Sequence, residues 1–316
     1  MKKFLSIMAV IAILATASLS LVGCEYHNDK SDKWRTKFDI SSPVVDNAGV
    51  DANSANAQGW YSTMQENFDG DKLDELWGPS PHRLRKIEYW CDDMISVSGG
   101  NAVIKAEKKT DHKCSAGKCP QDGYFTSGID TKKLIDGKSV TAFEQAFGYF
   151  EARVKFPNSG GMWSAFWLQS DSMGKIGNQG MDGSEIDIYE SSFVNDRTKV
   201  GHCIHYDGYG KNHKGGQTVR DTGKDLYEGF HTFALKWTPN EYVFYVDGVV
   251  SWATDFGGIS RVPAYLRLTN EVRPNAGGPY GQQVGEFTGG EFVIDYVKVY
   301  QNVNFLKEIK SPADFK

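Results

Sequence analysis

The stretch "FHTFALKWTPNEYVFYVDGVV", residues 230–250, contains short runs in which large apolar residues alternate with polar ones. Alternation with a period of two puts the apolar side chains of a β-strand on one face, so these runs predict strands with one buried face. The Asp-Gly pair in "VDGV", residues 246–249, is typical of the tight turn of a β-hairpin. The stretch therefore predicts antiparallel strands joined by short turns.

The same alternation recurs from Gly59 onward, for example in "FGYFEARVKF" (147–156) and "EFVIDYVKVY" (291–300). The sequence contains no long helical pattern and no internal repeat. Many short strands separated by turn residues predict an all-β fold, a jelly-roll β-sandwich of about 240 residues. We expect this domain to span residues 59–302 and a C-terminal tail to span residues 303–316.

Composition excludes some partners. The chain has 316 residues, of which 24% are charged, and its net charge is −5. A nucleic-acid-binding protein would usually show a basic excess, so no nucleic-acid partner is expected. We expect a monomer.

The N-terminus predicts export. Lys2 and Lys3 precede an apolar run that ends at Leu21, and "LVGC" follows at residues 21–24. A charged start, an apolar centre and small residues before a cleavage point are typical of a signal peptide. A cysteine directly after Leu-Val-Gly resembles the lipobox of bacterial lipoproteins, which implies a signal peptide over residues 1–23 and a lipid on Cys24. The alternative is a plain N-terminal membrane helix.

Residues 24–58 are rich in Asp, Asn, Ser and Ala and lack a sustained period, as expected of a flexible linker. The predicted product is an exported bacterial protein, a membrane-anchored lipoprotein at the cell surface or in the periplasm.

Four cysteines remain after Cys24: Cys91, Cys114, Cys119 and Cys203. Only four residues separate Cys114 from Cys119, which favours a local disulfide between them and leaves Cys91 to pair with Cys203. A zinc site with His112 or His202, or four reduced thiols, are the alternatives.

Three acidic residues lie close together in "GSEIDIYESS", residues 183–192: Glu185, Asp187 and Glu190. On a regular strand Glu185 and Asp187 share a face, whereas Glu190 would point to the opposite face. One extra residue would return Glu190 to the face of the other two. The spacing therefore predicts a β-bulge near Ile188 and Tyr189.

Three carboxylates on one face would raise the pKa of at least one of them. Glycoside hydrolysis with retention needs one ionised carboxylate as the nucleophile and one protonated carboxyl group as the acid, about 5–5.5 Å apart. The alternatives are a solvated acidic strand face and a calcium site.

"GSEIDIYE" resembles the bulged Glu-x-Asp-x-x-Glu signature of glycoside hydrolase family 16, in the form found in its laminarinase-like branch. "FDGDKLDELW" (68–77), "FGYFEARVKFPNSGGMWSAFWLQS" (147–170) and "FVIDYVKVYQ" (292–301) resemble other strands of that family, in the same order. The resemblance implies a concanavalin A-like jelly roll with a substrate cleft on its concave sheet. It also implies cleavage of β-glucans or marine galactans with retention.

The resemblance further implies roles for single residues. Glu185 would be the nucleophile, Asp187 its assisting acid and Glu190 the general acid and base. His205 matches a histidine near the acids that would bind substrate or orient Asp187, although a lone histidine is often structural. His202 has the opposite strand parity and receives no role.

Six residues are candidates for substrate binding: Trp163, Trp167, Asn270, Glu271, Tyr89 and Trp90. Strand alternation puts both tryptophans on one face, where they would stack against sugar rings unless they belong to the core. "RLTNEVRP" (267–274) departs from the laminarinase pattern, which leaves the substrate open. Asp295 lies where some family members bind a structural calcium.

The predicted activity is that of a retaining endo-acting glycoside hydrolase on β-1,3- or β-1,3-1,4-glucan, with no required cofactor. A galactan such as agar or carrageenan is the alternative substrate. A transglycosylase, or a catalytically silent glycan-binding surface lipoprotein, is the alternative function.

Overall fold

A computed structural model describes residues 55–115, 118–191, 196–273 and 287–315. The predicted signal peptide, the lipidation site at Cys24 and the linker up to residue 54 lie outside these ranges. Within them, no helix is long and apolar enough to cross a membrane.

The described chain contains nineteen β-strands. Their bounds are β1 Trp60–Glu66, β2 Gly78–Pro79, β3 Arg83–Leu84, β4 Glu88–Trp90, β5 Ile95–Ser98, β6 Asn101–Lys109, β7 Gly123–Asp130, β8 Lys132–Ile135, β9 Lys138–Thr141, β10 Gly148–Lys155, β11 Met162–Gln169, β12 Glu185–Glu190, β13 Lys199–Tyr206, β14 Lys214–Asp221, β15 His231–Trp237, β16 Tyr242–Val246, β17 Val249–Thr254, β18 Tyr265–Val272 and β19 Gly290–Asn302. Short 3₁₀ helices span Asp92–Met94, Val303–Glu308 and Pro312–Asp314.

Fifteen of the strands form two antiparallel sheets that pack face to face. Of the other four, β3 pairs with β4, β4 runs parallel to β7, and β8 and β9 form a separate hairpin. The cleft sheet has the order β2-β7-β18-β11-β12-β13-β14. The outer sheet has the order β5-β6-β19-β10-β15-β16-β17, with β1 beside β19. A short β6–β7 ladder joins the two sheets. The predicted jelly-roll β-sandwich is confirmed.

One hydrophobic core fills the space between the sheets. The cleft sheet contributes Phe166, Leu168 and Ile204, and the outer sheet contributes residues such as Phe150 and Leu235, all of them buried. Alternation along each strand sends every second side chain into this core and leaves the others for the outer faces. The residues between the core positions of the cleft sheet therefore face the cleft.

The predicted hairpin at residues 246–249 is present. Val246 pairs with Val249, and the two turn residues Asp247 and Gly248 have φ angles of 48° and 73°. Positive φ at both central positions gives the turn the twist of the flanking strands, which explains the Asp-Gly pair.

Residues 303–315, in the predicted C-terminal tail, pack against the domain. The Phe305 ring lies 5.8 Å from that of Trp60, and Ile309 packs against the core. Arg261 donates to Glu308 at 2.7 Å. The folded unit thus continues past residue 302, beyond the boundary expected from the sequence.

Gly148, at the start of β10, provides a test of how closely β10 packs against β19. Its φ is +119°, and a Cβ there would lie 2.1 Å from the Tyr300 carbonyl oxygen of β19. We expect Gly148→Ala to lower the free energy of unfolding by about 3 kcal/mol or more, since backbone must move. Gly137→Ala is the matched control, because its φ is also positive (+74°) but its Cβ meets open space. It should cost only about 1–2 kcal/mol. Thermal unfolding of the two variants checks this, and equal losses would contradict it.

Candidate active site

The bulge on β12 is where the sequence predicts it. Trp167 of β11 pairs with Asp187, while the preceding Phe166 pairs with Tyr189, so Ile188 has no partner in the ladder. The β12–β13 ladder shifts register at the same point, between Asp187 and Glu190. Ile188 and Tyr189 both lie in the core, and Glu190 returns to the face of the other acids.

Glu185, Asp187 and Glu190 lie together on the floor of a cleft of about 670 Å³. The cleft runs over β18, β11, β12 and β13, and a wall of Arg83, Arg85 and Lys86 closes one side. The three acidic side chains thus lie on β12, an inner strand of the floor, with basic side chains beside them.

Glu185 is 7% exposed and has two donors on one of its oxygens. The Tyr209 hydroxyl donates to Oε2, and Gln169 Nε2 donates to the same atom at 3.2 Å. Burial raises the pKa of Glu185 to about 7, while the Tyr209 hydrogen bond and the charges of Arg267 and Arg85 oppose this rise.

Glu190 accepts a hydrogen bond from Trp163 Nε1 at 2.9 Å. Burial raises the pKa of Glu190 to about 8, and the charge of Glu185 raises it further in the same direction. Of the two coupled groups, Glu190 therefore keeps its proton to higher pH. At neutral pH this order favours an ionised Glu185 beside a protonated Glu190.

His205 lies between Asp187 and a second histidine. Its Nε2 is 3.4 Å from Asp187 Oδ2, and His213 Nε2 is 3.0 Å from its Nδ1. Burial, followed by the charge of His213, lowers the pKa of His205 to about 4, so the imidazole is neutral at pH 7. His202 is buried between the Ile188 carbonyl and Ser251, at 2.7 and 2.8 Å. Its position outside the cleft agrees with its strand parity.

Both predicted tryptophans line the cleft, and each carries a guanidinium group over its ring. Arg273 lies 3.6 Å from the ring centroid of Trp163, and Arg267 lies 4.2 Å from that of Trp167. The arginines cover part of the aromatic surface, so the floor presents mixed aromatic and cationic surface to a ligand.

Glu271 faces the cleft, but Asn270 does not. Neighbouring residues on a strand point to opposite faces, so the two cannot both reach a sugar in the cleft. Asn270 is fully buried, accepts from Ser164 Oγ at 2.9 Å and donates to the Ile104 carbonyl at 3.2 Å. The expectation that Asn270 binds substrate is wrong, because its amide holds strands of the sandwich together.

Tyr89 and Trp90 also lie outside the cleft lining. Trp90 is fully buried, and the guanidinium groups of Arg83 and Arg85 lie over its ring at 5.2 and 5.0 Å. Tyr89 donates to the Lys118 carbonyl and packs beside Phe125. Trp90 is too buried to contact a sugar and instead supports the two arginines that face the cleft, whereas substrate contact by the half-buried Tyr89 stays a prediction.

The local disulfide is confirmed, because Cys114 and Cys119 are bonded. The pairing of Cys91 with Cys203 is wrong, since both are buried thiols that form no disulfide in the described structure. Cys203 pairs with Asp187 across the β12–β13 ladder and lines the cleft, whereas Cys91 packs beside Cys114. The two thiols therefore belong to different parts of the domain.

Two clusters of metal-ligating side chains occur in the described residues. One contains Cys91, Asp93, His112 and Cys114, but Cys114 is already in the disulfide. The other is Asp187, Glu190, Cys203 and His205, with donor atoms within 4.8 Å of one another. Neither contains Asp295, the candidate calcium ligand. Asp295 accepts a hydrogen bond from Arg153, and calcium binding at this residue stays a prediction.

Sequence reasoning missed several cleft residues, among them Arg85, Arg267, Arg273, Gln169 and Tyr209. Strand alternation in "RLTNEVR" could have predicted Arg267 and Arg273 as cleft residues, because residues at odd numbers from 267 to 273 point to the same face as Glu271. Tyr209 lies in the loop between β13 and β14, where no periodicity predicts direction.

The family described as glycosyl hydrolases family 16 matches residues 96–255. Endo-1,3-1,4-beta-glycanase ExsH of Rhizobium meliloti (strain 1021) is 30% identical over 212 residues, which cover 65% of this chain and 39% of the relative. Keratan-sulfate endo-1,4-beta-galactosidase of Sphingobacterium multivorum is 27% identical over 313 residues, which cover 92% of this chain and 66% of the relative.

Solved structures share the fold. The catalytic domain of an endo-1,3-beta-glucanase (laminarinase) from Thermotoga petrophila RKU-1 superposes with a TM-score of 0.60 at 24% identity, covering 78% of this chain and all of that one. Porphyranase B from Zobellia galactanivorans gives a TM-score of 0.57 at 20% identity and covers 77% of this chain and 92% of that one.

The cysteine arrangement predicts a thiol count. A chain that begins at residue 55 and is denatured without reductant should show two thiols, Cys91 and Cys203, because only Cys114 and Cys119 are bonded. Titration with a chromogenic disulfide measures this number, and Cys203→Ser should lower it to one. No free thiol in the unsubstituted chain would restore the Cys91–Cys203 pairing.

Proposed function

Because the chain belongs to glycosyl hydrolases family 16, we propose that it is an endo-acting hydrolase that cleaves a β-linked polysaccharide with retention of configuration. The observation that carries the proposal is the row of three cleft-facing acids, in which Glu190 has a higher pKa than Glu185. A retaining mechanism needs this order of protonation.

In the proposed first step, the ionised Glu185 attacks the anomeric carbon while Glu190 donates its proton to the glycosidic oxygen. The glycosidic bond breaks, and a covalent glycosyl-enzyme forms on Glu185. In the second step Glu190, now a carboxylate, takes a proton from water, and the resulting hydroxide attacks the same carbon and releases Glu185. Donation from Tyr209 and Gln169 to Oε2 orients the nucleophile.

Asp187 and His205 support this reaction as positioning residues. The Asp187 carboxylate lies between the two reacting acids along the strand and faces the neutral His205. An imidazole that stays neutral holds Asp187 through its Nε2 without adding a charge that would pull the proton from Glu190.

A β-1,3- or β-1,3-1,4-glucan is the proposed backbone. The curated relative ExsH carries the name of an endo-1,3-1,4-beta-glycanase, and the chain spans about two fifths of its length. The bulged acid motif, which resembles that of laminarinases, also supports the glucan assignment.

The first prediction concerns cleavage. On a panel of laminarin, lichenan, barley β-glucan, agarose, carrageenan and xyloglucan, we expect reducing-sugar release from at least one polymer. Glu185→Gln should lower kcat by at least about a thousandfold, since the nucleophile is lost. Glu228→Gln, on an exposed surface position, is the matched control. Proton NMR of the early product should show the β-anomer first. Binding without cleavage would instead support a glycan-binding protein, and the α-anomer first would exclude retention.

The second prediction concerns pH. The kcat/KM of the free enzyme should rise as the pH passes about 7, where Glu185 ionises, and fall above about 8, where Glu190 loses its proton. The two pKa values describe Glu185 and Glu190 titrating as a coupled pair, so neither value belongs to one residue alone. Tyr209→Phe removes a hydrogen bond that lowers the pKa of Glu185, so the acidic limb should move up by roughly 1 pH unit. Tyr206→Phe is the control, since its hydroxyl does not reach Glu185. An acidic limb that stays in place in Tyr209→Phe would contradict the role of Tyr209.

A further inference from the structure

The wall and one edge of the cleft carry an excess of positive charge. One segment of the chain contributes Arg83, Arg85 and Lys86. Arg273 directly follows β18 and, like Arg85, contacts Glu271. Arg267 also faces the cleft, but Asp130 neutralises it through two hydrogen bonds of 2.9 and 3.1 Å.

Within the described part of the chain, Glu271 is the carboxylate that forms direct ion pairs with two of the four cations that remain. Glu271 accepts from Arg85 Nη2 at 2.5 Å and from Arg273 Nε at 2.6 Å, so two guanidinium groups share one negative charge. Among the described residues, no carboxylate lies within the 4.0 Å ion-pair distance of Arg83. Partial burial and the charges of Arg85 and Arg267 lower the pKa of Arg83, as expected of a cation among cations. Lys86 is exposed at the rim.

Three of these four charges lie over aromatic rings. Arg83 and Arg85 both lie over the buried ring of Trp90, which restricts the two side chains before any ligand arrives. Arg273 is fixed in a similar way over Trp163, next to Glu190. Like charges held together repel one another, and an oxyanion with several acceptor atoms relieves this repulsion. An uncharged sugar offers only hydroxyl groups and relieves less of it.

We propose that the cationic wall formed by Arg83, Arg85, Lys86 and Arg273 binds an anionic substituent, a sulfate ester or a carboxylate, on the polysaccharide beside the cleaved bond. This inference rests on the proposed function and narrows its substrate to a charged polymer. An uncharged glucan is then a poorer substrate than an anionic polymer with the same backbone.

Binding to the Glu185→Gln variant tests the proposal, because this variant leaves the polymer intact. The probes are laminarin, sulfated laminarin and carboxymethyl laminarin, together with keratan sulfate and its chemically desulfated form. We expect the polymer with the anion that the wall binds, sulfate or carboxylate, to bind at least about tenfold more tightly than the uncharged form of the same polymer. This difference should shrink as NaCl rises from about 0.05 M to about 0.5 M. The sulfated and carboxymethylated forms separate the two sources of the anion.

Adding Arg83→Gln and Lys86→Gln to that variant should abolish the preference. Adding Lys105→Gln and Lys298→Gln, which remove two charges from the outer sheet, should preserve it. Equal binding of charged and uncharged polymers, binding of neither, or a preference that survives loss of Arg83 and Lys86 would overturn the proposal. Cleavage by the unsubstituted enzyme is scored separately. Tighter binding of anionic polymers without any cleavage would therefore refute only the proposed hydrolase activity. Cleavage without tighter binding of anionic polymers would refute only the proposed anion binding by the cationic wall.

Discussion

Strand β12 has to bury its apolar side chains in the core and present three carboxylates to the cleft. A regular strand cannot do both with the sequence "EIDIYE", because Glu190 would then enter the core and Tyr189 would enter the cleft. The bulge at Ile188 resolves this conflict, since Ile188 and Tyr189 both stay buried while Glu190 returns to the cleft. The Phe156 ring stacks 4.0 Å from Tyr189 and holds it in this position. The geometry of the acids thus depends on core packing behind the sheet.

Placing several carboxylates side by side in a half-enclosed cleft is unfavourable, and the surrounding side chains decide which of them carries charge. Burial disfavours ionisation of both Glu185 and Glu190. Glu185 receives more help, from the Tyr209 hydroxyl and from the charges of Arg267 and Arg85. Glu190 has Trp163 and Arg273, but it also faces the charge of Glu185. Two residues of the same type therefore differ in pKa because their neighbours differ.

Sequence patterns predicted the elements whose position depends on periodicity. The alternation in "MWSAFWLQ" placed Trp163 and Trp167 in the cleft, and the three-residue spacing before Glu190 predicted the bulge. Parity also separates Asn270 from Glu271, although the two were expected to act together. Contacts between distant segments were beyond such reasoning. Trp90 was expected to touch sugar, and nothing local to it indicates that Arg83 and Arg85 cover its ring. The predicted Cys91–Cys203 disulfide is wrong because it was inferred only from the two cysteines that remained unpaired. The fold places those two residues in different parts of the domain.

The floor and the wall of the cleft depend on different parts of the chain. The three acids lie on β12, an inner strand of the cleft sheet, where any shift in register would move them together with the core. Arg83 and Arg85 lie on a short segment held by the β3–β4 pair, by the parallel β4–β7 pair and by Trp90 beneath them. Tyr89 of the same segment packs with Phe125 and the disulfide corner at Cys114. Since substitutions in such a segment leave the bulge untouched, its charge can vary without disturbing the carboxylates. On the proposed function, the cleft sheet thus determines which bond is attacked, and the segment that covers it determines the charge of the glycan that binds.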